Sequence, residues 1–196
     1  MERTKKSETK RTEIIAAVRH TIPEMDYRNL SVRAICDTCG ISIGSFYHHF
    51  KNKEDLLAEI LEEIDQYLIR KVQPQLTSES ASENLCRFAL GFAQETIASA
   101  LGSGGSVIST ASVPLPSDPA AIEKEKARPL YELPRTLIRN GQKTGEFAPD
   151  LDADAAASIL VTTLRGYAMD WSRRSFSYDF PEAIRDSMAF FLRSLS

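Results

Sequence analysis

The stretch from Leu30 to Lys53 concentrates the side chains able to do chemistry: LSVRAICDTCGISIGSFYHHFKNK. Small polar residues, Ser42, Gly44 and Ser45, are followed after Phe46 by Tyr47 and His48. Small side chains at a helix start let the backbone approach a grooved surface closely. Free N–H groups at helix starts, together with Lys53, favour phosphate oxygens. Two other chemistries compete for the same residues. Cys36 and Cys39 form a C-x2-C spacing that invites zinc or redox chemistry. No second cysteine pair exists, and both thiols fall in or at the end of a short core helix, so buried small hydrophobes are the preferred reading. His48 and His49 are adjacent, so on a helix they point in different directions and chelate one ion poorly. No metal and no cofactor is expected.

The elements that must position these residues can be read from local signals. Ser31 is an N-cap for a short helix from about Val32 to Cys39. Gly40 offers the left-handed conformation that a sharp stop needs. Ser42 caps a second short helix, Ile43 to His49, and Asn52 caps another with Glu54 and Asp55 in its first turn. Val32, Ile35, Cys36, Ile41 and Phe46 supply a small core between the two short helices. Two short helices joined by a tight glycine turn are the architecture of a helix-turn-helix.

The remainder reads as helix, without long strand-like alternation. A first helix is expected from about Glu8 to Ile22, ended by Pro23. The helix after Asn52 carries Leu56, Leu57, Ile60, Leu61, Ile64 and Leu68 and should stop at Pro74. Thr77–Ser82 is a polar linker in which Ser80 and Glu83 resemble a capping box. Further helices are expected over about Ser82–Leu101, Ala120–Lys143 (interrupted or bent near Pro129 and Pro134), Ala153–Arg174 and from Asp179 to about Leu195. The segment Gly102–Pro119 reads as loop, with one short helix around Val107–Ala111. The stretch Gly102-Ser103-Gly104-Gly105-Ser106 lacks the lysine of a phosphate-binding loop, and no catalytic constellation is found.

At Ser31-Val32-Arg33, Cys39-Gly40-Ile41-Ser42 and Gly44 through Leu57 the sequence resembles the TetR/AcrR family of transcriptional regulators. The pattern is gap-free over about 28 residues. The phrase Gly141-Gln142-Lys143-Thr144-Gly145-Glu146-Phe147 before a long helix also looks like that family's ligand domain. The resemblance implies an all-α fold, with a helix-turn-helix domain over residues 1–53 and a ligand-binding and dimerisation domain over 54–196. It implies that Tyr47 and Lys53 hold phosphates and that Ser31 meets the DNA backbone. Arg33, Ser42, Ile43, Ser45 and His48 would face bases or sugar edges, with Arg33 suited to guanine. Ile43 stands where the family often has a basic residue; it either touches a thymine methyl or contributes nothing. Cys36 and Cys39 stand where the family usually has alanine, and Pro23 and Asp26 replace a usual glycine. In the body, Phe88, Phe92, Thr96, Tyr131, Thr163, Tyr167 and Trp171 are candidates to line a pocket for a small-molecule effector, and plain core is the competing reading. The uncharged segment Thr96–Ser117 is a candidate gate. The implied protein is a homodimeric repressor on a palindromic operator, not an enzyme.

Composition tests these expectations. The 196 residues carry a net charge of −3, which excludes a uniform nucleic-acid coat. The sum hides an asymmetry. Residues 1–53 hold ten Lys and Arg against six Asp and Glu, and residues 54–196 hold fourteen against twenty-one. A basic end on an acidic body suits one end meeting a polyanion. Three cysteines are too few for a disulfide scaffold. The start leads into no apolar signal region, and Thr96–Ser117 is too broken by Gly, Pro and six serines to span a bilayer. A cytoplasmic protein is expected.

Overall fold

The computed structural model describes residues 10–15, 18, 31–102 and 119–195. Among these residues secondary structure is helical and no strand occurs. Helical residues 10–15 and Val18 form α1; the expected end of this helix and the Pro23–Asp26 turn lie outside the described residues, as do residues 103–118 of the expected loop, its short helix and most of the candidate gate, while Gly102 and Pro119 themselves are helical. In chain order there follow α2 (Val32–Cys39), α3 (Ile43–His49), α4 (Lys53–Tyr67), α5 (Ala81–Gly102), α6 (Pro119–Lys126), α7 (Pro129–Thr144), α8 (Ala153–Arg173) and α9 (Phe180–Arg193).

The chain divides into two compact units. The first ends at Glu63 and takes in the stretch that begins at Ile97; the second holds Ile64–Thr96 and everything from Leu115 on. The core of the first unit is Ile14, Ile15, Val18, Ile35, Cys36, Phe46, Phe50, Leu56 and Ile60, with Val32, Cys39, Ile41 and Leu61 packed on it. Arg11 laces this core from outside. It forms a two-point ion pair with Glu59, and its guanidinium lies 5.1 Å from the centre of the Phe50 ring.

In the second unit α7 packs along α8, and α8 against α9. Asp152 and Asp179 cap α8 and α9, accepting from Asp154 and Ala155 N–H and from Glu182 N–H respectively. Three features depart from the sequence expectation. The helix of Lys53 does not run regularly to Pro74: α4 ends at Tyr67, continues as a π-helical turn over Leu68–Val72, and tightens to 3-10 at Gln73–Gln75. Val72 reaches so close to α5 that a Cβ at Gly91 would lie 2.6 Å from its Cγ2. Pro129 does break the helix expected over 120–143, but Pro134 is accommodated inside α7 and buried. The capping box is only half formed. Ser80 Oγ accepts from Glu83 N–H, but the Glu83 carboxylate turns to Ser78 and Arg87.

Ser80 N–H donates instead to Ser78 Oγ, and the next N–H groups of the α5 N-terminus are taken by Glu146, from the turn after α7. Its carboxylate accepts from Ala81 N–H at 2.7 Å, Ser82 N–H at 2.8 Å and the Ser80 hydroxyl at 2.9 Å. Burial alone pushes this carboxyl up. The hydrogen bonds from Ser82, Ala81 and Ser80 overcome that and bring it down to about 2. The turn reaches Ser80 because Gly141 lets Phe147 lie directly on α7; a Cβ at Gly141 would overlap the Phe147 ring and stand 2.9 Å from Ala81 Cβ.

Candidate nucleic-acid interface

α2 and α3 are each defined by a serine before the first turn. Ala34 N–H donates to Ser31 Oγ and Ser45 N–H to Ser42 Oγ, both at 3.1 Å. Gly40 closes α2 at φ 60°, a backbone region that β-carbons disfavour, so the chain turns sharply into α3. Phe46 anchors α3, fully buried, and Tyr47 stands edge-on to it with ring centres 5.5 Å apart. Asn52 caps α4 by accepting from Asp55 N–H at 2.7 Å, and the Asp55 carboxylate in turn accepts from Lys51 N–H.

The outward side of this pair presents most of the residues singled out from the sequence. Ser31, Arg33, Ser42, Ile43, Gly44, Tyr47 and His48 are exposed, while Ser45 and Lys53 are half-buried. Tyr47 and Ile43, 55% and 48% exposed, are large apolar surfaces that the first unit leaves in solvent. Capping does not exhaust the serine hydroxyls. Each Oγ accepts a backbone N–H and keeps its own O–H to donate, which is what a phosphate oxygen requires. Gly44 has ordinary helical backbone, and a Cβ there would meet only Ser42 Oγ, at 3.9 Å. Neither backbone nor packing requires glycine at 44; its absence of bulk matters only to something approaching from outside.

The competing chemistries fare differently. Cys36 is buried, and Cys39 Sγ lies 3.9 Å from the Ile14 carbonyl as a weak donor. Burial pushes both thiols up, with the charge of Asp37 adding at Cys36. Such thiols hold little nucleophilic thiolate. The His48 and His49 rings meet edge to face at 5.0 Å. His49 is held below the usual histidine range by burial and then by the neighbouring His48, Arg11 and Lys10. Among the described residues no group of three or more His, Cys, Asp or Glu converges as a metal site.

In the second unit the residues picked from stripes separate into two sets. Phe88, Phe92, Thr96, Tyr131 and Trp171 are buried. Thr96 Oγ1 donates to the Phe92 carbonyl, Tyr131 accepts from Arg165, and Trp171 stacks on Phe180 while its indole N–H donates to the Tyr178 carbonyl. Thr163 and Tyr167, by contrast, line an open cleft of about 370 Å³ with Gly166 and Asp170. Asp170 is held there by Arg174 and by the Tyr178 hydroxyl. Sequence reasoning missed Asp65, Glu125, Arg128 and Arg165, which join Tyr131 in a buried polar chain. One signal was present: Arg165 interrupts the apolar face that Val161, Leu164 and Ala168 define on α8.

Residues 14–60 match the model of the bacterial regulatory proteins of the tetR family. The HTH-type transcriptional regulator UidR of Escherichia coli K12 is 25% identical over 161 residues, covering 82% of this chain and 80% of that protein. The HTH-type transcriptional repressor KstR2 of Mycolicibacterium smegmatis is 25% identical over 172 residues, 79% of this chain and 76% of that one. Among solved structures, the transcriptional regulator FadR of Bacillus subtilis, in complex with stearoyl-CoA, shares the fold with a TM-score of 0.73 at 21% identity, over 92% of this chain and 97% of that chain. Through the capped helix pair and the segment around it, residues 14–60 match the tetR family of bacterial regulatory proteins, and the chain is a DNA-binding transcriptional regulator.

Proposed function

We propose that this regulator is a ligand-responsive repressor, acting as a homodimer on a palindromic operator in the cytoplasm, without enzymatic activity. The observation that carries the reading is the exposed row Arg33, Ser42, Ile43, Gly44, Tyr47 and His48 on two short capped helices over a closed core. Tyr47, Lys53 and Ser31 hold backbone phosphates. Arg33, Ser42, Ile43, Ser45 and His48 face base or sugar edges, with Gly44 permitting the approach. Residues 1–53 do the reading, and 54–196 bind the effector and dimerise. Among the described residues no helix is long and apolar enough to cross a membrane.

The dimer face is assigned to α8 and α9. Ile159 and Phe190 are 59% and 72% exposed on these helices, an apolar surface that a lone chain leaves in water. A two-fold dimer would set two copies of α3 one DNA turn apart, about 34–36 Å. The effector is a small, largely apolar molecule. Support comes from the stearoyl-CoA held by the Bacillus subtilis FadR. The buried candidates Phe88, Phe92, Thr96, Tyr131 and Trp171, with Thr163 and Tyr167, would line its pocket.

Selection of duplexes from a random pool, followed by footprinting, tests the reading. It expects two inverted half-sites centred about 10 base pairs apart or a multiple of it, and binding that weakens steeply with salt. Enrichment of no sequence, or a single asymmetric half-site, would refute it. Phe190→Asp should yield monomers in sedimentation.

A further inference from the structure

Within the second unit, Arg165 stands on the apolar face of α8 among Val161, Leu164 and Ala168. Arg165 is 6% exposed, and Tyr131, which meets it from α7, is 7% exposed. Arg165 Nη1 donates to the Tyr131 hydroxyl at 3.0 Å, and Nη2 donates to Glu125 Oε1 at 2.8 Å. The guanidinium carbon lies 5.6 Å from the centre of the Tyr131 ring. Two donors of this cluster are left over. Arg165 Nε is buried with no acceptor among the described residues. The Tyr131 oxygen receives the Arg165 hydrogen bond, and its own O–H meets no acceptor among the described residues. The cluster is short of acceptors, not of donors.

Stability is a poor explanation for such an arrangement. A buried N–H without an acceptor is costly, and an apolar residue at 165 would simply continue the stripe on α8. Glu125 leaves Nε uncovered: its Oε1 takes Nη2 and lies 3.9 Å from Arg128 Nη1 as well. The charge balance says what kind of acceptor is missing. Arg128 and Arg165 are matched by Asp65 and Glu125, and these four side chains are between 8% and 15% exposed. A carboxylate or phosphate brought to Nε would add an unbalanced buried charge close to Glu125. An uncharged oxygen satisfies the donor without that penalty.

We propose that the second unit binds an uncharged, largely apolar molecule through a carbonyl oxygen, with Arg165 Nε–H as the donor and Tyr131 as the positioning residue that holds the guanidinium through Nη1. This names the chemistry of the effector and rests, for any effect on DNA, on the ligand-responsive reading above. A hydrocarbon of the same shape leaves Nε buried and unmet, and an acid of the same shape brings its charge toward Glu125. Discrimination therefore comes from what the wrong ligand leaves unpaired.

The test measures dissociation constants of the full chain, by titration calorimetry, for two sets of matched probes. The flat set is 2-acetylnaphthalene, 2-isopropenylnaphthalene and 2-naphthoate; the flexible set is 2-undecanone, 2-methyl-1-undecene and decanoate. Within at least one set the ketone should bind about ten-fold or more tighter than both the alkene and the acid. Arg165→Met combined with Glu125→Gln removes the guanidinium without stranding a buried charge, and should shrink that gap to about three-fold or less. Tyr131→Phe, the milder variant, should narrow the gap as well, which a merely structural hydroxyl would not do. Failure of both ketones to bind would overturn the proposal. So would an alkene or acid that binds as tightly as its ketone in both sets, or a gap that Tyr131→Phe leaves unchanged. If the ketone binds with the expected preference yet leaves affinity for the duplex that the parent enriches unaltered, the donor assignment stands and the ligand-responsive reading fails.

Discussion

Replacing Glu146 by glutamine removes a charge from the N-terminus of α5 while keeping the shape and one acceptor oxygen. The carboxylate accepts two backbone N–H groups and a serine hydroxyl, all within 2.9 Å, and its pKa is brought from an ordinary 4.5 to about 2. That drop corresponds to about 3 kcal/mol of stability in the ionised form. Partial access of water to the site trims the expected loss in Glu146→Gln to about 2 kcal/mol at pH 7. The sign of the pH dependence follows from the depressed value. The contribution is fully present above pH 4.5, where the unfolded chain is also ionised, and drains away as pH falls toward 2. Urea denaturation of both proteins across pH 7 to 3 reads this directly. The gap between them should be widest at neutral pH and have shrunk to about half or less by pH 3. Parallel curves across that range would refute the reasoning, because they would place the effect in side-chain shape and not in the charge at the helix start.

Four other outcomes are expected. Gly141→Ala drives a Cβ into the Phe147 ring, so urea unfolding should show a loss of about 1–3 kcal/mol, despite the roughly 1 kcal/mol that alanine gains in helix propensity. His49 resists protonation in the folded chain, so stability should decline as pH falls below 6.5, and thermal melts of His49→Gln should show a shallower decline. Tyr47→Ala should weaken binding to the selected operator and to its mismatched variants alike, leaving the sedimentation of the dimer unchanged. Arg33→Ala should relax preference at one operator position by about 1–3 kcal/mol in competition binding, with other positions unaffected.

What the sequence disclosed, and what it hid, divides by distance along the chain. Ser31, Gly40, Ser42, Asn52 and Asp179 each act on a backbone group within a turn or so, and each takes the expected place. The features that departed depend on partners far away. α4 gives way to a π-helical turn where Val72 meets Gly91, nineteen positions on. The Ser80–Glu83 box is half formed because Ser80 N–H donates to Ser78 Oγ, while a carboxylate from position 146 takes the next two N–H groups. Phe88, Phe92, Thr96 and Trp171 do lie on inward faces, while Thr163 and Tyr167, on the same helix as Trp171, line an open cleft; an inward face looks the same whether it meets another side chain or a ligand. Arg165 was the exception that spacing alone could have raised, a charge on an apolar stripe whose partners no local pattern names.

The charge division acquires a physical role once the buried chain of Asp65, Arg128, Glu125 and Arg165 is set beside it. Those four cancel among themselves, so the acidic surplus of the body is carried by other residues. An acidic body repels phosphates at every register along DNA, whereas the contacts of α2 and α3 act only where the groove fits. Repulsion that is the same everywhere weakens all binding equally in free-energy terms. It therefore leaves the ratio of operator to random DNA intact while lowering the occupancy of random sites, which outnumber operators by about a million or more. The net positive charge of residues 1–53 makes binding to phosphates salt-dependent, while the geometry of two half-sites decides where it is tight.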